Sequence, residues 1–374
     1  MNQPVQATLS FRPAVDEDLP VLLDIEQRCF TTDRLNRRSF RHWTHSDHGN
    51  LLVMETAQAV IGYGLVWCHR GTRLARLYSL AIDPAWQGKG LSHPLLDQLE
   101  QTTAELGYLF MRLEVSKQNA AAIQLYQKRG YRVFGEYHDY YDDHGDALRM
   151  QKTIQQLSDR AITRATPWYR QTTSFTCGPA SLMMCMASLN EAVKLGQLLE
   201  LDIWREATSI FMTSGHGGTH PLGLALAANR RGFNVEVYLN TQAPLFVDGV
   251  RSLHKKQLMS VIHQQFIQQV VESNSIEISY ENISQNQICN WINQGYAVMV
   301  LISTYRLDGK KAPHWVTVTG YDDVCLYLHD PDDSDPNQQA IDCQYLPILR
   351  ADFDRMSSFG SGRLRTALAI RPLD

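Results

Sequence analysis

Cys177 stands at the mouth of an apolar stretch running from Ala180 to Leu189, with Gln171 six residues ahead of it. A thiol at the first turn of a helix meets unpaired N–H groups and the positive end of the helix dipole, which favour the nucleophilic thiolate. Gln171 is placed to offer a side-chain N–H to an oxyanion formed in that attack. Such a nucleophile needs a base and a group that orients the base. His314 to Tyr321 alternates as a strand does, Asp322-Asp323 is turn material, and Val324 to Pro331 reads as the returning strand. A hairpin centred on 322 and 323 sets His314 opposite Asp330 or Pro331. His329 points to the opposite face by the period of two, so Asp330 is the carboxylate selected to fix the imidazole tautomer. The competing reading of Cys177 is a core thiol like Cys185.

A second chemical feature lies upstream. Ala75 to Ile82 reads as a strand ended by Asp83-Pro84, and Gln87-Gly88-Lys89-Gly90-Leu91-Ser92 leads into a helix reaching about Leu106. A glycine-bearing turn between strand and helix presents backbone N–H groups at a positive helix end, a setting that suits a pyrophosphate. No Gly-Lys-Ser/Thr closes it, so it is not a Walker loop. Further on, Phe110 to Val115 is a strand carrying Glu114, Ser116 to Asn119 offers a helix cap, and Ala120 to Gly130 is a helix carrying Tyr126.

The elements around these residues form two domains, as 374 residues exceed one ordinary core. A net charge of -4 and the lack of long basic runs argue against a nucleic-acid partner. The first residues lack the pattern of a signal peptide, and Tyr296 to Ser303, the most apolar run of the second half, is too short to span a bilayer. The seven cysteines lack C-x-x-C spacing, which argues against a disulfide framework and a zinc site. A cytoplasmic protein with no metal and no membrane partner is expected. Asp332, Asp333 and Asp335 read as a solvated acidic loop, and Ser214 to Pro221 as a loop beside a substrate cleft.

In the first half, Ala7 to Arg12, Leu51 to Met54 and Val60 to Trp67 are further strands, Asp16 to Phe30 is a helix, and Tyr131 to Phe134 and Ala147 to Ile154 are closing strands. Polar residues from Gln155 to Thr166 place the join near 160. Beyond it, Val235 to Leu239, Ile276 to Tyr280, Ala297 to Ser303 and Arg365 to Arg371 supply strands, and Leu253 to Val271 a helix. The second half is therefore α+β, a buried helix on an antiparallel sheet.

Residues 7–157 resemble the GNAT N-acetyltransferases, nearest the type that acetylates the N-terminal alanine of a ribosomal protein. The resemblance rests on Gln87-x-x-Gly90-x-Ser92, on Leu113-Glu114-Val115 and on Asn119 to Tyr126 followed by Gly130-Tyr131. Ser92 departs from the Gly or Ala usual there. The resemblance implies a mixed twisted α/β sheet with flanking helices and acetyl-CoA as cosubstrate. It implies that Leu80, Ala81 and Ile82 pair with the pantetheine arm, that Gln87, Gly88, Lys89, Gly90, Leu91 and Ser92 hold the pyrophosphate, and that Asn119 and Tyr126 also contact the cofactor. Glu114 would be the general base, directly or through water, and Tyr126 the acid that protonates the leaving thiolate.

Residues 163–374, through Gln171, Cys177-Gly178, His314 and Asp330-Pro331, resemble the papain-like cysteine peptidases that cleave double-glycine leaders from bacteriocin precursors. Thr176 stands where those enzymes often have Asp. The resemblance implies that Cys177 attacks a carbonyl, His314 shuttles the proton and Asp330 orients it, while Gln171 and the Cys177 N–H stabilise the oxyanion, with hydrolysis or transfer to an amine as the outcome. The expected whole is a bifunctional enzyme acting on a peptide or protein substrate. The alternatives are an acetyltransferase whose second domain is a non-catalytic peptide-binding module, and a small-molecule amine acetyltransferase.

Overall fold

The computed structural model describes residues 9–155, 161–208, 211–212, 215–216, 218–247, 250–308, 312–334 and 340–373. Contacts divide the chain into two units, Met1–Leu157 and Ser158–Asp374. The join expected near 160, the first residues of the Ala7–Arg12 strand, Asp335 and part of the Ser214–Pro221 loop lie outside the described residues.

In the first unit the order is β1 (Ser10–Pro13), α1 (Leu19–Cys29), α2 (Arg37–His45), β2 (Gly49–Glu55), β3 (Val60–Cys68), β4 (Leu74–Ile82), α3 (Ser92–Glu105), β5 (Phe110–Ser116), α4 (Ala120–Lys128), β6 (Arg132–Tyr137) and β7 (Ala147–Thr153). The sheet runs β1-β2-β3-β4-β5-β7-β6, antiparallel except for the parallel pair β4 and β5. One face packs against α3 and α4 through Leu95, Leu96, Leu99 and Tyr126; the other meets α1 and α2 through Leu22, Ile25, Phe40 and Trp43. A Cβ on Gly64 would lie 2.3 Å from Leu99 Cδ1, so this glycine lets α3 close on β3. The helix α2 was not foreseen, because its apolar positions reduce to Phe40 and Trp43 among charged residues.

The second unit contains β8 (Ile162–Thr163), α5 (Cys177–Leu189), α6 (Gln197–Ala207), the short pair β9 (Phe211–Met212) and β10 (Gly215–His216), α7 (Pro221–Asn229), β11 (Phe233–Leu239), α8 (Leu253–Val271), β12 (Ile276–Ser279), α9 (Gln285–Asn293), β13 (Ala297–Ser303), α10 (Tyr305–Asp308), β14 (Pro313–Tyr321), β15 (Cys325–His329), β16 (Leu346–Leu349), α11 (Arg350–Met356) and β17 (Thr366–Pro372). Its main sheet runs β12-β11-β17-β13-β14-β15-β16, with β8 on β14. The expectation of an antiparallel sheet needs one correction: β12 runs parallel to β11. The reason is the crossover through α8, which returns the chain to the same end before it pairs.

Helix α5 is apolar on every side and is buried from Gly178 to Met186. It lies along β14, where Ser181 Oγ donates to the Trp315 carbonyl at 3.0 Å and Thr317 Oγ1 donates to the Ser181 carbonyl at 3.1 Å. These bonds fix the helix against the strand that bears His314.

Candidate functional site

In the second unit Cys177, His314 and Asp330 form one contact series, and the backbone of Gln171 is tied to Pro331 beside it. Thr176 precedes α5 without capping it, its hydroxyl being bonded instead to Thr173. Pro179 has no N–H, so the amides of Cys177 and Gly178 form the helix mouth. Gly178 is required there: a Cβ would lie 2.1 Å from Thr219 Oγ1 and 3.1 Å from Trp315 Cδ1. Cys177 itself is half-buried.

His314 is buried at the start of β14, with Nε2 2.7 Å from Asp330 Oδ1. The thiol of Cys177 hydrogen-bonds the same ring. Burial pulls the imidazole down, but Asp330 and Cys177 outweigh it and hold His314 well above its ordinary value. Asp330 Oδ1 also accepts the Asp332 N–H at 2.9 Å. The hairpin is not the symmetric one expected. A bulge between Val318 and Gly320 moves the register so that His329 faces Thr317, and Asp330 lies just past the end of β15. Its carboxylate still reaches His314, while His329 packs edge-on against Tyr345 at 4.4 Å.

Gln171 is buried, with Oε1 lacking a hydrogen-bond partner among the described residues. Its segment is clamped on two sides. On one, Gln171 N–H donates to the Pro331 carbonyl at 2.9 Å, Trp168 Nε1 donates to the Asp330 carbonyl at 2.7 Å, and Arg170 pairs with Asp333. On the other, the fully buried Glu200 of α6 accepts from the Thr172 N–H at 2.8 Å, Thr172 Oγ1 at 2.7 Å and Tyr169 Oη at 3.0 Å. Gln171, expected as the oxyanion donor, and the loop that carries Asp330 are therefore held by one strap. Trp168 and Glu200 were not singled out from sequence, although Glu200, Ile203 and Ala207 share the buried stripe of α6 and a carboxylate on such a stripe signals a partner.

His220, in the loop expected beside a cleft, is buried. It caps α7 through Nδ1, which accepts the Leu222 N–H at 3.1 Å; its Nε2 is 3.0 Å from His263 Nδ1, and His263 Nε2 is 3.1 Å from the Gln242 carbonyl. Only neutral rings, each donating from Nε2, satisfy all three bonds. Among the described residues no cluster of three or more His, Cys, Asp or Glu could hold a metal.

In the first unit β4 and β5 pair only from Leu74 to Arg76 with Phe110 to Arg112. Beyond that the strands part, leaving the edge of β4 at Leu80, Ala81 and Ile82 open on the β5 side, although the Ile82 carbonyl already accepts from Gln87 Nε2 at 2.8 Å. Gly88 and Gly90 have φ of 75° and 74°, and a Cβ on either would meet nothing within 4 Å. This is an uncovered backbone cradle at the uncapped start of α3, where Leu91 and Ser92 lie. It fits a pyrophosphate, whose oxygens need N–H donors and close approach. Lys89 folds over the Trp86 ring at 4.4 Å, and Asn119 serves as the N-cap of α4, accepting the Ala122 N–H at 3.1 Å.

Tyr126 is buried edge-on to Tyr131, and burial pushes its phenol up, so it keeps its proton. Glu114 is not an isolated carboxylate. Its Oε2 accepts from Arg76 Nε at 2.8 Å and lies 2.7 Å from Arg76 Nη2, which also donates to Tyr140 Oη at 2.7 Å.

The chain belongs to the Peptidase_C39 like family, which matches residues 166–371. Residues 14–154 match the acetyltransferase (GNAT) domain, so the first unit is a GNAT acetyltransferase domain, and acetyl-CoA is the cosubstrate of that class. Among curated relatives, the ribosomal protein bS18-alanine N-acetyltransferase of Escherichia coli K12 is 28% identical over 149 residues, covering 37% of this chain and 92% of the relative. The mycothiol acetyltransferase of Amycolatopsis mediterranei is 32% identical over 142 residues, covering 33% of this chain and 44% of the relative. The solved ribosomal-protein-S18-alanine N-acetyltransferase from Escherichia coli is similar at 24% identity, covering 41% of this chain and 99% of that one, with a TM-score of 0.38. Among the described residues no helix is long and apolar enough to cross a membrane.

Proposed function

We propose that the chain is a bifunctional enzyme: an acetyl-CoA-dependent N-acetyltransferase for a peptide or protein amine, joined to a thiol enzyme with the triad Cys177, His314 and Asp330. The observation that carries the second half is the unbroken contact series from the Cys177 thiol through His314 to the Asp330 carboxylate. A raised imidazole pKa beside the sulfur favours transfer of the thiol proton to His314. Cys177 Sγ then attacks a peptide carbonyl, forming a C–S bond, and Gln171 Nε2 with the Cys177 N–H faces the oxyanion. His314 returns the proton to the departing amine, leaving an acyl-enzyme for water or a second amine.

For the first half, acetyl-CoA supplies an activated acetyl group. Residues 87–92 would hold its pyrophosphate, the open edge of β4 its pantetheine arm, and Tyr126 stays protonated to serve as the acid. The bacterial relatives act on an alanine of a ribosomal protein, which supports a peptide or protein acceptor. An N-terminus newly made at Cys177 would be such an amine.

Iodoacetamide at neutral pH tests the thiol. Cys177 is expected to label faster than the six other cysteines, whereas labelling last would make the second unit a silent binding module. For the acetyltransferase, the probe is a synthetic peptide with a free N-terminal alanine incubated with acetyl-CoA. Mass gain of one acetyl group is expected; acetylation of small amines alone would redirect the reading to a small-molecule enzyme.

A further inference from the structure

Glu26 is a buried carboxylate with no part in the chemistry above, yet it is wired to the open stretch of β4. It is 2% exposed on α1. Its Oε1 accepts the Leu35 N–H at 2.7 Å, and its Oε2 accepts the hydroxyl of Tyr63 on β3. Tyr63 Oη is in turn 2.9 Å from Ser79 Oγ on β4. Because the Tyr63 proton is given to Glu26, the hydroxyl of Ser79 donates to Tyr63, and the bonds run in one direction.

The register explains the line. Leu65 faces Ser79 and Tyr63 faces Ala81, so Tyr63 and Ser79 share the face covered by α1. A bulge makes Tyr78 the extra residue of β4, and past Arg76 the strand has no β5 neighbour. Ser79 is half-buried in that unpaired stretch, whereas Tyr63 is fully enclosed. Bulges beside an opened strand re-aim side chains toward a site.

The contrast with Glu114 gives the line its meaning. Glu114 is held by the Arg76 guanidinium, whereas the partners of Glu26 are a phenol and a backbone N–H, neither a cation. We propose that Ser79, Tyr63 and Glu26 form a proton relay that removes the proton from the acceptor ammonium, with Glu26 as its terminus. The relay rests on the reading of the first unit as an N-acetyltransferase.

In the step, one ammonium N–H bond breaks as its proton passes to Ser79 Oγ. The Ser79 proton passes to Tyr63 Oη and the Tyr63 proton to Glu26 Oε2, so one O–H bond is gained at Glu26. The nitrogen keeps the electron pair with which it attacks the acetyl carbonyl. After turnover the Glu26 proton returns along the same line to solvent.

The groups facing Glu26 are Tyr63 from the sheet, Arg34 and the Leu35 N–H from the segment after α1, and Cys29 from its own helix. Burial raises the Glu26 carboxyl against the lowering by Tyr63, Leu35 and Arg34, the direction a general base for an ammonium needs. Burial and Glu26 also raise the Tyr63 phenol well above its ordinary value, so it passes protons without losing its own.

The test uses the full chain, acetyl-CoA and a synthetic peptide with a free N-terminal alanine, and follows kcat and kcat/KM against pH. Glu26→Gln, Tyr63→Phe, Ser79→Ala and Glu114→Gln are compared with the wild type. Glu26→Gln keeps an acceptor for Leu35, and thermal melting with acetyl-CoA calorimetry shows that each variant is folded and loaded. The three relay variants are expected to lose about 100-fold or more in kcat with little change in peptide KM, the size of a general-base contribution. The acid limb of the wild-type profile should flatten in Glu26→Gln. Infrared spectra without acetyl-CoA should show a carboxyl band that titrates above the usual carboxylate range and is missing in Glu26→Gln.

Folded relay variants with wild-type kcat and an unchanged acid limb overturn the relay, as does a limb that vanishes only in Glu114→Gln. A wild type that acetylates no amine, peptide or small, removes the acetyltransferase reading and the relay with it.

Discussion

In the proposed reading, the acetyltransferase unit would offer acetyl-CoA its backbone, and the second unit would offer its substrate side chains. At Gly88 and Gly90 the chain is left bare, with φ values that only glycine adopts at little cost and with nothing above the Cα positions. At Cys177 the reverse holds: the helix mouth is crowded, Gln171, His314 and Asp330 are each buried, and both Gln171 and His314 are bonded to the Asp330–Pro331 segment. A site made of backbone tolerates loss of any one side chain near it. One made of side chains fails with any one of them, and the variants below test that difference.

The largest effect is expected at the proposed nucleophile. Cys177→Ala should remove thiol-dependent turnover by a factor on the order of 10⁵ or more, because no other group makes the C–S bond. Acetylation by the first unit should be untouched, and loss of both activities would break the picture of two independent constellations. Asp330→Asn comes next, with kcat expected to fall about 10²- to 10⁴-fold as the imidazole loses its orientation and its counter-charge. A pH profile is the check. The raised pKa of His314 depends on Asp330, so the transition assigned to His314 should move toward lower pH in the variant.

The same contrast decided what could be read from the sequence. The backbone site is local: strand, glycine turn and helix follow within 74–105, so spacing gave the turn, and the family resemblance gave its reading as a pyrophosphate loop. The candidate side-chain site spans Gln171 to Asp330, and its members were proposed because residue type and strand alternation restrict the choices. The Val318 to Gly320 bulge was not visible, since a bulge depends on how β14 meets β15 and β8 at once. Glu200 and the Arg76 contact of Glu114 escaped for a related reason: each is defined by partners tens of residues away, at Tyr169 and Thr172 in one case and across the parting strands in the other.

Gly90→Val probes the backbone site. At φ 74° a β-branched side chain costs roughly 1–2 kcal/mol and covers the cradle, so acetyl-CoA affinity should drop about 10- to 30-fold by calorimetry. A drop confined to kcat, with binding intact, would argue that the loop does not hold the cofactor. Glu200→Gln probes the strap. It leaves one of three donors poorly matched in a fully buried place, which costs about 1–3 kcal/mol in denaturant unfolding. Because Thr172 adjoins Gln171, kcat at Cys177 should fall roughly tenfold. A stability loss with full kcat would show that the strap supports the fold and not the oxyanion donor.

The smallest effect at neutral pH belongs to the histidine pair behind Gly178. Burial, with His263 adding to it, lowers His220 to about 3, so the folded state holds this ring neutral while the unfolded chain protonates near the ordinary value of about 6.5. Between those limits the unfolded state binds the extra proton. Stability is therefore full above about 6.5 and declines by up to roughly 1.4 kcal/mol per pH unit as pH falls toward about 3. The folded state also loses a bond when His220 protonates, because Nδ1 can no longer accept the Leu222 N–H. His220→Asn keeps a side-chain oxygen for that cap while removing the titration, and it should shift little at neutral pH yet flatten the acid slope of the melting temperature. Thr219 links the pair to Gly178, so in the wild type the thiol turnover should fade over the same acid range as the second unit loosens. An acid slope that persists in His220→Asn would assign it to the carboxylates and leave the histidines as neutral struts.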